Sequence, residues 1–295
     1  MIELFRELFA ADFLLKHALW ATLLLGAVAP LAGCFLLLRR AAFLGVALPQ
    51  VSAAGVTGGG LVLALLTAPP AEGEVCNFVP IPEISLLCAT GAALAALLLL
   101  AWLERRSGTA DARHGVLYAL AGAGAVLMRA ANPHAEHTFS NLFSGDVVSL
   151  GANDLRVAAL ALVPAAVVLV AFRHEFLWAG CDGDFMAAAG RRVLFWNALL
   201  LGTIGVVIGA VVYLVGPLIC FGALLLPAVA AWRLARRMEM CFVFAPLIGV
   251  VGALIGFSVA YRMDLPAGVT IVAVHGVVLC LVLLLSVLPL RKSAG

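Results

Sequence analysis

Four short stretches carry side chains able to bind a ligand or engage a partner. In NPHAEHTFSN, His134 and His137 stand three residues apart, with Glu136 between them. Imidazole and carboxylate are ordinary ligands of a divalent transition metal, and a turned backbone would bring all three to one side. On an extended loop the same residues would be solvated. His275 stands in TIVAVHGVV, inside an apolar run. A ring at that depth either bonds to the backbone of a neighbouring helix or faces a polar pathway through the interior. Gln50 and Ser52, in PQVSAAG, place an amide and a hydroxyl near the start of another apolar run. There they could meet a passing solute through neutral hydrogen bonds. Asp182 and Asp184, in CDGDFMAAAG, are candidates to cap a short helix from Phe185 to Ala189, with Gly190 ending it.

No stretch offers machinery for covalent chemistry. A phosphate loop of the GxxxxGK[ST] type is absent from the sequence, and the only lysines are Lys16 and Lys292. HExxH is also absent, as is a Ser/His/Asp set. The chain therefore reads as one with no catalytic residues and no cofactor of its own, and any nucleotide hydrolysis would belong to a partner. The 7 cysteines are odd in number, show no CxxC spacing and fall mostly in apolar runs. They read as small, polarizable packing residues.

The elements that must position these groups follow from composition. Of 295 residues, 64% are hydrophobic and 12% charged, against about 45–50% apolar and about 25% charged in soluble domains. The excess runs along the whole chain to Leu290, which predicts an all-α polytopic membrane protein. About 20 apolar residues are needed per crossing. Candidate spans lie at about 17–38, 46–68, 84–103, 114–131, 155–172, 193–215, 217–232, 241–261 and 268–290, nine in all. The pair around Gly216-Pro217 reads either as two spans or as one broken helix with a re-entrant turn. Residues 1–16 mix Glu3, Arg6, Glu7, Asp12 and Lys16 with Leu, Ile and Phe, the pattern of an interfacial amphipathic helix. Residues 17–290 read as one transmembrane domain, and 291–295 as a short tail.

Basic residues set the orientation. With the amino terminus outside, the inner loops hold Arg39, Arg40, Arg105, Arg106, Arg113, Arg173, Arg191, Arg192, Arg233, Arg236, Arg237, Arg291 and Lys292. Only Arg6, Lys16, Arg129, Arg156 and Arg262 remain outside. This predicts a cytoplasmic carboxyl terminus and an inner-membrane location in a lipid bilayer. The net charge of +2 is spread between spans and argues against a nucleic-acid partner. The spans are nearly free of ionisable groups, with His275 inside one and Glu83 and Asp264 near span ends. That favours a conduit over an enzyme or a proton-coupled carrier. The segment 173–192 is the longest inner loop, and a capped helix within it would suit contact with a cytoplasmic partner.

Six stretches taken together resemble the permease subunit of metal-ion ABC importers, the family of the zinc and manganese uptake permeases. They are LRRAAFLG at 38–45, DARHGVLYA at 111–119, LFSGDVV at 142–148 followed by NDL at 153–155, DGDFMAAAG at 182–190, VGPL through LPAVAA at 215–231, and DLPAG at 264–268. The resemblance covers roughly 18–290. It implies a helix bundle of the vitamin-B12-importer type and a second permease copy, most simply a homodimer. It further implies cytoplasmic ATPase subunits carrying ATP and Mg²⁺, an external solute-binding protein, and a Zn, Mn or Fe ion as cargo. On this resemblance residues 182–190 are the coupling helix, with Asp182, Asp184, Phe185 and Gly190 engaging the ATPase.

The chain departs from the family at one point. The family's motif continues with Asp and, four residues later, His. Here those positions are Val46 and Gln50. An Asp and a His four residues apart share a helix face and form part of a dication shell. Valine offers no ligand, and glutamine offers one neutral oxygen. The cargo could instead be a metal complex or another small solute, or the metal could be handled elsewhere, with His134, Glu136 and His137 the candidates. A non-transporting membrane receptor or sensor component is the alternative from a different class.

Overall fold

The computed structural model describes residues 15–66, 82–103, 110–131, 147, 149–181 and 183–287. The interfacial helix expected up to residue 16, the loop holding His134, Glu136 and His137, Asp182 and the tail at 291–295 lie outside the described residues, apart from Leu15 and Lys16.

The protein is an all-α polytopic membrane protein. Ten helices occupy the described residues: α1 (Lys16–Leu38), α2 (Leu44–Leu66), α3 (Pro82–Leu103), α4 (Ala110–Ala130), α5 (Ala152–Ala171), α6 (Arg173–Cys181), α7 (Gly183–Ala188), α8 (Val193–Leu234), α9 (Met238–Met263) and α10 (Ala267–Val287). Seven of them are long and apolar enough to cross a membrane: α1, α2, α3, α5, α8, α9 and α10. Large side chains such as Leu66, Leu98, Leu160, Leu194 and Leu284 point outward from these helices. Bare apolar surface of that extent belongs in lipid, where a helix also satisfies its own backbone.

Helix α8 holds two crossings. Its 42 residues, at about 1.5 Å each, would make a straight rod of about 63 Å, twice the hydrocarbon thickness. Instead the chain breaks at Gly216, at φ 81° and ψ 171°. A side chain there would meet its own backbone, so the position favours glycine. Pro217 follows, and its missing N–H costs nothing in the first position of a new helix. The chain reverses sharply at this point: the Cys220 thiol lies 3.9 Å from the carbonyl of Ile208. Twelve residues along a straight helix would separate those groups by about 18 Å. The two halves, 193–215 and 217–234, form a helical hairpin. Counting those halves separately and adding α4, which falls short of the other seven in apolarity because of Arg113, His114 and Arg129, the described residues hold nine candidate crossings, in line with the nine expected.

The hairpin is the centre of the bundle and packs against α1, α2, α3, α5, α9 and α10. Leu200, Ile204, Val207, Ile208 and Val211 are fully buried there, beside Phe35 and Leu36 of α1 and Leu48 of α2. Water is absent from both sides of such contacts, so van der Waals fit replaces the hydrophobic drive, and small residues allow close approach. Helices α1 and α9 cross where Gly26 meets Gly249; a methyl group on Gly26 would lie 2.7 Å from the Gly249 carbonyl oxygen. Gly33 admits the Leu224 carbonyl in the same way.

Candidate translocation face and coupling segment

Helix α2 presents Val46 and Gln50 on one face. Both are half-buried, while Ala47, Leu48 and Pro49 between them are buried. The face points at α4. A methyl group on Gly122 would stand 3.8 Å from Gln50 Oε1, one on Gly115 3.9 Å from the Phe43 ring, and one on Gly58 3.1 Å from the sulfur of Met128. These pairings advance together along both chains, so α2 and α4 run parallel. Gly115 and Gly122, seven residues apart, leave room for the Phe43 ring and the Gln50 amide. A cargo at this face would meet the neutral Gln50 amide and apolar groups. Ser52 turns elsewhere: it is fully buried, and its hydroxyl has no hydrogen-bond partner among the described residues.

His275 lies apart from Gln50 and Ser52. Its helix α10 packs on α8 and α9, whereas α2 packs chiefly on α3, α4 and α8. The ring is 1% exposed and its Nε2 is 3.1 Å from the Gly249 carbonyl. It fills a notch left by Gly252, where a methyl group would come within 2.4 Å of the ring. The histidine therefore completes the crossing of α1, α9 and α10 at Gly26, Gly249 and Gly252. Among the described residues, no three His, Cys, Asp or Glu side chains converge as a metal site would need.

The other two ionisable groups noted near span ends have local partners or backbone roles. At the end of the bundle where the hairpin turns, Tyr213 donates its hydroxyl proton to the carboxylate of Asp154. Asp154 also accepts the Gly151 N–H at 2.9 Å, and Asn153 reaches Glu83 at 3.5 Å. Helices α3, α5 and α8 are tied together by these contacts. Asp264 ends α9 in a left-handed conformation at φ 53°.

The opposite end carries Arg39, Arg191, Arg192, Arg233, Arg236 and Arg237, and here α6 and α7 connect α5 to the hairpin. Among the residues of α7 whose burial is described, Met186 is the one buried anchor. Met186 is 0% exposed, whereas Phe185, Ala187, Ala188, Ala189 and Gly190 are exposed. Gly190 closes the helix at φ 72°. Its N–H reaches the Ala187 carbonyl at 3.0 Å, and the Arg191 N–H reaches that of Met186 at 3.1 Å. That double bond pattern needs a left-handed residue, which glycine adopts without steric cost. Phe185 stands edge-on to Trp178 of α6, with ring centroids 6.1 Å apart. Asp184 belongs to the first turn of this helix.

Helix α6 joins this knob to the bundle through stacked rings. Phe176, 1% exposed, is edge-on to Phe35 of α1 at 5.7 Å and to Trp196 of α8 at 6.1 Å. Phe35 in turn meets Phe242 of α9 at 4.8 Å. Beside them the Arg39 guanidinium donates to Asn197 Oδ1 at 2.6 Å, with its stem against Gly180 of α6. A push on α7 would reach α1, α8 and α9 through side chains already in contact. Sequence reasoning read Arg39 as an orientation marker and passed over Asn197. The available signal was a lone amide in the apolar run VLFWNALLLG, which needs a partner at membrane depth.

A family model described as "ABC 3 transport family" matches residues 11–286. The chain belongs to the ABC 3 transport family. In overall shape this family member is similar to a solved structure described as "PsaBC from Streptococcus pneumoniae in complex with Fab". The likeness has a TM-score of 0.76 and 20% identity, and covers 96% of this chain and 95% of that one. Among curated relatives, the "Manganese transport system membrane protein MntC" of Halalkalibacterium halodurans is 26% identical over 88% of this chain and 83% of its own length. The "Manganese import system permease protein ScaB" of Streptococcus gordonii is 21% identical over 88% and 86%. As an ABC 3 family permease, the protein is a multi-pass transport subunit and not an enzyme.

Proposed function

We propose that this chain is the permease subunit of an ATP-binding-cassette importer of the cytoplasmic membrane, and that its cargo is a divalent metal ion of the manganese, zinc or iron kind. The observation that carries the reading is α7: a short helix at the basic end, anchored by Met186 and exposed from 187 to 190 and at Phe185, in an ABC 3 family chain that has no phosphate loop of its own. Cytoplasmic ATPase subunits, with ATP and Mg²⁺, would grip Asp182, Asp184, Phe185 and Gly190. The rings of Phe176, Trp196, Phe35 and Phe242 would carry that movement into the hairpin and shift the bundle between two packings. A second copy of the chain would complete the pathway. A solute-binding protein would deliver cargo at the end where the hairpin turns, which places the amino terminus outside and the carboxyl terminus in the cytoplasm.

Manganese comes first among cargoes because relatives covering most of the chain carry it in their names. Gln50 and Ser52 are the pathway residues of this reading. His275 is a packing residue in it, since a neighbouring carbonyl and a glycine notch account for its position. His134, Glu136 and His137 would form an outer point of first contact for the ion. A second reading is favoured by Val46 and Gln50: a cargo that arrives with its own ligands, as a metal complex, would need only neutral contacts at this face. Reconstitution with the cognate ATPase and binding protein separates the two. ATP-driven uptake of radiolabelled manganese supports the ion, and uptake only of a chelated metal supports the complex. Equal uptake without ATP would refute the importer. Replacing His134 and His137 with Ala is expected to raise the manganese concentration needed for half-maximal uptake; an unchanged value leaves them outside the pathway.

A further inference from the structure

The cysteines read from sequence as packing residues include one pair that the fold brings together. Cys34 lies near the basic end of α1, and Cys241 lies in the first turn of α9, 207 residues away. Their sulfurs are 3.5 Å apart, with no residue between them. Both are buried, in a small cluster with Ala228, Ala231 and Ala245. Leu37 packs on that cluster and also lines a cavity of about 370 Å³ with Val229, Trp232 and Arg233.

We infer that Cys34 and Cys241 form a reversible redox site, closing as a disulfide under peroxide and locking the permease. The chemistry balances with peroxide as the oxidant. One sulfur attacks a peroxide oxygen, the O–O bond breaks, and a sulfenic acid forms with release of water. The second sulfur attacks that sulfenic sulfur, the S–O bond breaks, and hydroxide leaves with a proton as a second water. Two thiols and one peroxide give one disulfide and two waters. Closing the pair requires the sulfurs to approach to about 2.05 Å, a movement of about 1.5 Å.

The consequence follows from where the pair sits. Helices α1 and α9 already cross rigidly at Gly26 and Gly249, and Cys34 and Cys241 lie eight residues along each chain from that crossing. A bond there staples the same two helices at a second point. The residue after Cys34 is Phe35, which meets Phe176 of α6, and the residue after Cys241 is Phe242, which stacks on Phe35. With the α1–α9 pair held at its middle and at its basic end, the rings between α1 and α9 cannot separate, and movement of α7 has nowhere to go. The disulfide itself needs no assumption about cargo, whereas the loss of uptake rests on the importer reading.

The test uses the full permease–ATPase complex in liposomes with its binding protein. Uptake of manganese by the reduced complex is measured first; failure at that step counts against the importer reading alone. The complex is then treated with hydrogen peroxide, denatured, alkylated and digested. Mass spectrometry is expected to find the Cys34 and Cys241 peptides joined, uptake to fall at least tenfold, and dithiothreitol to restore both. Cys34→Ser and Cys241→Ser are expected to keep their uptake through peroxide, and Cys241→Ala serves if serine impairs folding. Both peptides recovered in alkylated form after peroxide would overturn the site. A joined peptide with undiminished uptake, or equal peroxide inhibition in the Cys34 and Cys241 variants, would overturn the lock.

Discussion

Replacing Met186 with Ala tests whether α7 is held by one side chain. A six-residue helix has no stability of its own, since helices below about 12 residues are marginal in water. What keeps α7 in place is the buried Met186 side chain, the turn at Gly190 and the Phe185–Trp178 contact. Truncating a fully buried methionine costs about 2–5 kcal/mol. At about 1.4 kcal/mol per tenfold, even the lower figure raises the undocked population about thirtyfold. Truncating the exposed Phe185 removes one edge-on ring contact, about 0.5–1.5 kcal/mol. The two variants should separate by hydrogen exchange on the purified permease. Met186→Ala is expected to speed exchange of the 185–191 amides at least thirtyfold and leave α1 and α8 unchanged. Phe185→Ala should change it less than about tenfold, yet lose more of the ATPase-coupled uptake per bound ATPase. If Met186→Ala leaves exchange in that segment unaltered, α7 is held by something other than the buried Met186 side chain and the transmission argument fails.

Three further tests probe the rest of the structure. Gly216→Ala places a side chain at φ 81° and is expected to cost about 1–3 kcal/mol, read as a lower unfolding temperature in detergent; no change would mean the break does not depend on glycine. Gly252→Ala drives a methyl group into the His275 ring. It should destabilise strongly alone and much less in combination with His275→Ala, and additive losses would refute the notch. The pair Val46→Asp with Gln50→His places a carboxylate and an imidazole on the face toward α4. It is expected to make the purified permease retain manganese or zinc through gel filtration, as measured by elemental analysis. No retained metal would show that this face is closed to cargo.

Most of the architecture could be read from apolar length. Segments of about 20 apolar residues separated by Arg-rich turns leave little choice but a helix bundle in lipid, because only a helix satisfies its backbone hydrogen bonds within one continuous segment there. The breaks were legible for the same local reasons: Gly216-Pro217 and Gly190 each do what only those residue types do cheaply. The departure at Val46 and Gln50 was legible only against the family resemblance, whereas their common face followed from the spacing of four residues.

Which face of each span meets which neighbour was not legible. A crossing helix is apolar all round, so it lacks the polar stripe that marks the outside of a soluble helix. Sequence could say that His275 needs a partner at depth, but only packing named the Gly249 carbonyl and the Gly252 notch. It could count cysteines without CxxC spacing, but only the α1–α9 crossing brought Cys34 to Cys241. Arg39 marked a membrane boundary in the chain, and the tie to Asn197 across 158 residues came from the fold. The local chain determined where helices start, break and turn, since those depend on backbone conformation and apolar length. The tertiary structure decided which polar groups meet, because in lipid that choice rests on small residues that let two particular helices approach.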